Sequence, residues 1–178
     1  APQARNTIEA LVKSGAIDGE IAEAWQKKLE QECEVAVTRA DAEGGDGEAM
    51  YWLGAWYQLG RNGLAKDMAQ ARAWYERSAA ARDPRGMACF GGDCLLRGEG
   101  PQDNALGLVN AAQAAELGSE FGAYLLGWVF FSGGCGVPKE PVQARYWLKK
   151  VVDGECKYKH LNDAGKADAA KLLRELDQ

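Results

Sequence analysis

The residues able to do chemistry in this chain are few and poorly spaced for it. His160 is the only histidine among 178 residues, so neither a histidine metal site nor a Ser/His/Asp arrangement with a second imidazole is available. Cys89 and Cys94 bracket Phe-Gly-Gly-Asp, a faint likeness to iron–sulfur ligand spacing, yet the two further cysteines that a cluster needs are missing nearby. Gly98-Glu99-Gly100 and Gly133-Gly134-Cys135-Gly136 have the glycine content of phosphate loops, but neither carries Gly-Lys-Ser/Thr and both join helix to helix. The carboxylates are scattered along solvated faces, with no Asp or Glu pair standing out as acid and base. The expectation is a protein without catalytic residues, cofactor or metal, which acts through its surface.

The elements that would shape such a surface follow from a repeat. Leu53-Gly54 returns 37 residues on as Phe90-Gly91 and 36 residues later as Leu126-Gly127, each followed three positions on by Tyr57, Cys94 or Phe130. Each pair leads into a glycine-rich hinge and then an acid-headed, alanine-rich segment beginning at Asp67, Asp103 or Glu140. A period of this length denotes stacked supersecondary units. First helices are expected over about 47–60, 84–97 and 119–132, and second helices over about 67–82, 103–117 and 140–152. Glycine inside a helix costs about 1 kcal/mol relative to alanine, so Gly54, Gly91 and Gly127 at one equivalent position imply close packing against the second helix. The second copy has Gly107, Asn110 and Ala111 where the others carry Ala, Trp and Tyr or Leu, which predicts looser packing there.

Outside the repeats, 3–14 reads as a short helix with Gly15 as its left-handed cap, and Asp18 opens a long helix to about Glu43. Along it Ile21, Trp25, Leu29, Cys33, Val37 and Ala40 recur at helical spacing, predicting a buried stripe. A last helix over 162–176 carries Ala169, Leu172, Leu173 and Leu176 on one side. Asp83-Pro84, Pro141 and Ser119 mark further helix starts.

Composition narrows the function classes. The net charge of −5 disfavours nucleic acid, since phosphate binding needs a clustered positive field. The charge is uneven, at −6 over residues 1–48 and +2 over 139–178. No apolar run reaches the ~18 residues of a membrane span. The odd cysteine count and the absence of an Asn-x-Ser/Thr site point away from a secreted disulfide scaffold and toward a reducing compartment. Cys135 and Cys156, at the two ends of the third copy, are the one pair placed for a bridge. The expectation is a soluble intracellular protein of the cytosol or an organelle matrix, the plastid included, whose N-terminus is a processed or trimmed end.

The pattern small-x-x-x-Leu/Phe-Gly-x-x-bulky, then Gly-x-Gly-(Leu/Val)-x-x-Asp/Glu, then Ala-x-x-Trp-(Tyr/Leu), resembles the Sel-1-like repeat, a relative of the tetratricopeptide repeat with a longer inter-helix loop. The resemblance covers about 60% of the chain; its second copy departs by a shortened loop and a missing tryptophan. It implies an all-α, right-handed α/α superhelical solenoid of three repeats (46–83, 84–118, 119–156) between capping helices at 1–45 and 157–178. Unlike the disulfide-rich branch of that family, this sequence does not place one cysteine on each helix of a repeat.

In that family, first-helix positions two before, two after and five after the Leu/Phe of the Leu/Phe-Gly pair face the concave groove. Here they are Tyr51, Ala55 and Gln58; Ala88, Gly92 and Leu95; Tyr124, Trp128 and Phe131. Tyr51, Gln58, Tyr124, Trp128 and Phe131, with Arg85, are the candidate partner-binding residues, unless the C-terminal helix folds back over the third set. The resemblance implies a non-enzymatic adaptor or scaffold that grips a protein partner; Arg85 with Lys149, Lys150, Lys157 and Lys159 would favour segments that mix apolar anchors with acidic residues. A further likeness to repeat variants of photosynthetic protists implies the alternative of a permanent accessory subunit or assembly factor of a larger, organellar complex.

Overall fold

The structure, a computed structural model, describes residues 2–98 and 100–177. Among them are nine helices and no strand: α1 (Pro2–Lys13), α2 (Gly19–Glu43), α3 (Gly47–Leu59), α4 (Met68–Ala80), α5 (Pro84–Arg97), α6 (Pro101–Glu116), α7 (Glu120–Ser132), α8 (Pro141–Val152) and α9 (Asp163–Leu176). None is long and apolar enough to cross a membrane. The chain is an all-α solenoid in which α3/α4, α5/α6 and α7/α8 are the stacked pairs.

Local chemistry sets the helix ends. The side chains of Asp18, Asp46, Asp67, Asp83, Ser119 and Asn162 each accept a backbone N–H from the first turn, using donors that a helix cannot satisfy internally. Gly60 and Gly133 close α3 and α7 at φ 65° and 70°, a left-handed conformation that glycine adopts without cost. The loops after them are fastened alike, by Asp67 N–H to Tyr57 O and Glu140 N–H to Phe130 O, both 2.9 Å.

The helical glycines lie where the pairs meet. A Cβ built on Gly54 would stand 2.6 Å from the Tyr75 ring, and one on Gly127 would stand 2.7 Å from Leu148 Cδ2. Between successive repeats, Gly86 makes room for Ser78, whose hydroxyl donates to Gly47 O at 2.7 Å. The expected looser packing in the second repeat is corrected. Gly91 and Gly107 face one another so closely that a Cβ on either would lie 2.9 Å from the other's carbonyl oxygen. Small residues there bring the α5 and α6 backbones together; they do not leave a gap. Helix α6 also begins two residues before Asp103, with Pro101 in its first turn.

The long stripe of α2 needs correction too. Ile21, Trp25 and Val37 are 42%, 46% and 62% exposed, and α2 meets α3 through Val35 and the fully buried Ala42 instead. The 25 residues of α2 outrun the 12 of α1 and the 13 of α3, so its outer face has no helix to cover it. Cys135 and Cys156 are not bridged. Helix α9 lays Ala169 and Leu172 on the cluster formed by Leu125, Val129 and Leu148, closing the C-terminal end of the stack.

Candidate functional site

The inner surface of the solenoid is built from α3, α5 and α7, and one cleft of about 350 Å³ opens there. Tyr51, Ala55, Gln58 and Leu59 of α3 form one wall, and Met68, Arg72 and Tyr75 of α4 form its back. Gly92, Asp93, Leu96 and Arg97 of α5 supply the opposite wall; Phe121 and the segment His160–Asn162 close the end. The mouth mixes apolar and charged groups. Leu59 and Leu96 are 55% and 61% exposed, large fractions for leucine, while Asp93 is held between the guanidinium groups of Arg72 and Arg97. Arg72 also reaches Asp103 at 3.8 Å and stands over the Phe90 ring at 5.6 Å.

Deeper in, the polar groups are paired. The Tyr75 hydroxyl donates to Gln58 Oε1 at 2.6 Å. Burial pushes the Tyr51 hydroxyl up to about 12 and the Cys89 thiol up to about 12, so neither ionises near neutral pH. A neutral thiol is a poor nucleophile. Among the described residues no three metal-ligating side chains come together. What the cleft offers is apolar contact, aromatic faces and a rim of paired charges, Arg72 and Arg97 against Asp93 and Asp103, the ingredients of recognition.

The six candidate residues do not form one surface. Tyr51 and Gln58 line the cleft. Arg85 lies over the Tyr51 ring at 5.0 Å and over Tyr158 at 5.7 Å, with Asp83 at 2.9 Å and Glu48 at 2.8 Å. Burial opposes its charge, but these two carboxylates hold the guanidinium pKa above its ordinary value. Arg85 therefore buttresses the cleft wall. Tyr124 donates to Asp168 of α9 at 2.8 Å, and burial together with that bond pushes its hydroxyl up to about 12. Tyr124, Trp128 and Phe131 are part-buried against the core cluster that α7, α8 and α9 share, and of the three Tyr124 is bonded to α9.

Sequence reasoning missed Phe121 and His160. The imidazole sits edge-on to Tyr51 and Phe121, with ring centroids 6.1 and 6.2 Å away. Phe121 lies three residues before Tyr124, on the same helical face, and that spacing was the available signal. Nothing in the sequence points His160 at Tyr51, because the connection between α8 and α9 has no period.

A family model described as Sel1 repeat matches residues 47–83, 87–119 and 121–151, more than half of the chain. No curated protein sequence matches the chain. A Sel1 repeat protein from Oxalobacter formigenes, solved by crystallography, is 26% identical with a TM-score of 0.60, over 80% of this chain and 98% of that one. The crystal structure of c5321, a protective antigen of uropathogenic Escherichia coli strains displaying an SLR fold, is 23% identical with a TM-score of 0.63. That alignment takes in 92% of this chain and 31% of the antigen, so this likeness speaks to the fold alone.

Proposed function

The chain belongs to the Sel1 repeat family, whose members serve in general as non-enzymatic scaffolds for protein–protein interaction, and from that premise we propose that it is an adaptor gripping a partner segment in the cleft between its first two repeats. The observation that carries this reading is the mouth of the cleft, where Leu59 and Leu96 stand exposed beside Arg72 and Arg97. An exposed apolar pair rimmed by polar groups is the signature of an interaction surface. The rim of paired charges, Arg72 and Arg97 against Asp93 and Asp103, favours segments that set polar groups of both signs around their apolar anchors, since complementary charge selects partners. A cleft of about 350 Å³ holds a few anchoring side chains; a standard interface of about 1,600 Å² would extend over the rest of the inner face.

The test is site-specific crosslinking in cells of the native source. A photo-reactive residue at Leu96 should capture a discrete partner, and the same residue at Val142, which is 74% exposed on α8, should not. Equal capture at both positions, or none at Leu96, would overturn the reading. The exposed apolar side chains of α2 favour a second reading, a permanent subunit of a larger complex. A purified subunit of that kind should bind hydrophobic dye through α2, and Trp25→Glu with Val37→Glu should abolish the signal.

A further inference from the structure

Residues 157–161, between α8 and α9, run without helical structure to the inner face, where His160 and Leu161 line the cleft. Tyr158 donates its N–H to Gly118 O at 2.9 Å and accepts the Glu120 N–H at 3.0 Å, a single parallel bridge between strap and repeat. Leu161 then donates its N–H to Glu120 Oε2 at 3.1 Å. Pairing of an extended segment with exposed backbone is the way peptides add to a receptor edge. Here the chain supplies the peptide itself, and the His160 ring fills the end of the cleft. The segment is held at both ends: buried Cys156 anchors one, and at the other Leu161 packs against the core and Asn162 caps α9 through Gly165 N–H at 2.8 Å, which leaves residues 157–160 between the two anchors.

His160 is seated in its neutral form. Its Nδ1 lies 3.0 Å from Tyr158 O, which can only accept, so that nitrogen carries the proton. Its Nε2, 3.4 Å from Ser119 Oγ, is left to accept from the hydroxyl, and Ser119 meanwhile accepts the Gly122 N–H at 3.1 Å. A second proton would remove the acceptor that this hydroxyl uses. It would also place a cation in a site that burial already makes hostile to charge, holding the imidazole below its ordinary value.

The charged groups around the ring give little relief. Arg85 on α5 repels, and on the strap itself Lys157 lies over the Tyr158 ring at 4.9 Å. Of the carboxylates, Asp83 and Glu48 are engaged by Arg85, and Glu120 of α7 is engaged by Leu161 N–H and, at 3.7 Å, by Lys166 of α9. Tyr51 of α3 and Tyr75 of α4 are neutral hydroxyls.

Resting on the cleft reading above, we propose that residues 157–160 are a built-in occupant of the inner face, and that adding a proton to His160 releases them, opening the Gly118–Phe121 seat to an extended segment of a partner. The intact chain tests this without any partner. Imidazole nitrogen shifts and amide hydrogen exchange are followed together from about pH 7.5 to about pH 5. His160 is the only histidine, so its signal identifies itself.

The expected result is that Tyr158 and Glu120 amide protection, corrected for intrinsic exchange, falls by about tenfold with the imidazole midpoint. The Ala71 amide inside α4 should keep its protection. In His160→Gln, which retains a donor for Tyr158 O but does not titrate, protection should be independent of pH. Protection that persists while the imidazole titrates, or a loss of equal size in His160→Gln, would overturn the proposal. Should that variant fail to fold, the wild-type midpoints still decide, because separated midpoints refute the coupling. Failed crosslinking at Leu96 would sink the cleft reading and leave this result standing, so the two failures are distinguishable.

Discussion

Replacing Gly91 by alanine measures how the repeats are held together. The new methyl would stand 2.9 Å from Gly107 O, 3.0 Å from Ala111 N and 3.3 Å from Asn110 Cβ. Two of these are backbone atoms, which cannot rotate away, so α5 and α6 must separate along their whole contact. Overpacking of a tight site costs about 1 to 3 kcal/mol, and the better helix propensity of alanine returns about 1 kcal/mol. A backbone obstacle places the cost at the upper end, leaving a net loss of about 1 to 2 kcal/mol, or roughly 2 to 8 °C in Tm for a chain of this size. Gly127→Ala is the matched control. Its methyl would meet Leu148 Cδ2 and Cγ at 2.7 Å and Leu148 N at 3.3 Å, so a side chain takes most of the strain, although Leu148 is fully buried. Moving it costs about 1 to 2 kcal/mol, of which propensity returns about 1, so Gly127→Ala should lose less stability than Gly91→Ala. Urea unfolding followed by circular dichroism gives both differences. A Gly91→Ala protein as stable as the parent, or less damaged than Gly127→Ala, refutes the argument that backbone contact sets the α5–α6 distance.

Four other outcomes are expected. Gly127→Leu, by contrast with the alanine change, should lose about 1 to 3 kcal/mol to overpacking, and an unchanged melting temperature would show the helices apart there. Trp128→Ala should cost about 3 kcal/mol of stability because the indole packs against the core cluster, whereas little loss in urea unfolding would return that residue to the exposed groove. Asp46→Ala removes the acceptor of Glu48 and Ala49 N–H and should cost about 1 kcal/mol, measured the same way, with a null result excluding the cap. Because the folded pKa of His160 lies below its unfolded value of 6.5, its contribution is complete above about pH 6.5 and lost as pH falls through the folded pKa. Wild-type stability should thus decline more steeply than that of His160→Gln across this window, and parallel curves would contradict the burial argument.

How much of this was legible beforehand depends on how locally each feature is encoded. The helices were readable because Asp46, Asp83 and Ser119 cap by short-range bonds, and because glycine recurs at 54, 91 and 127 where a side chain would collide with the partner helix. Composition misled at α6, where Gly107 and Asn110 looked like missing bulk and are a means of close approach. It misled again at α2, where Ile21, Trp25 and Val37 have the period of a buried stripe with no helix opposite to bury it. The cleft was half legible. Tyr51 and Gln58 follow from their repeat positions, but the burial of Tyr124, Trp128 and Phe131 depends on the core cluster that α7, α8 and α9 share. No local pattern encodes that packing, nor the return of His160 to the first repeat.

That return changes how the chain should fold and unfold. A tandem array normally behaves as a one-dimensional lattice in which each unit touches only its neighbours and the ends fray independently. The ring contact between Tyr51 and His160 joins the first repeat to the segment after the last one. Fraying from the C-terminal end must then break a contact with the opposite end of the array, so partly unwound species are penalised and the transition sharpens toward all-or-none. The same closure raises the mean sequence separation of contacts, which slows the search for the native state, because the loop entropy is spent before the contact rewards it. A short unpatterned connection thereby makes a repeat protein fold with the cooperativity of a single globular unit.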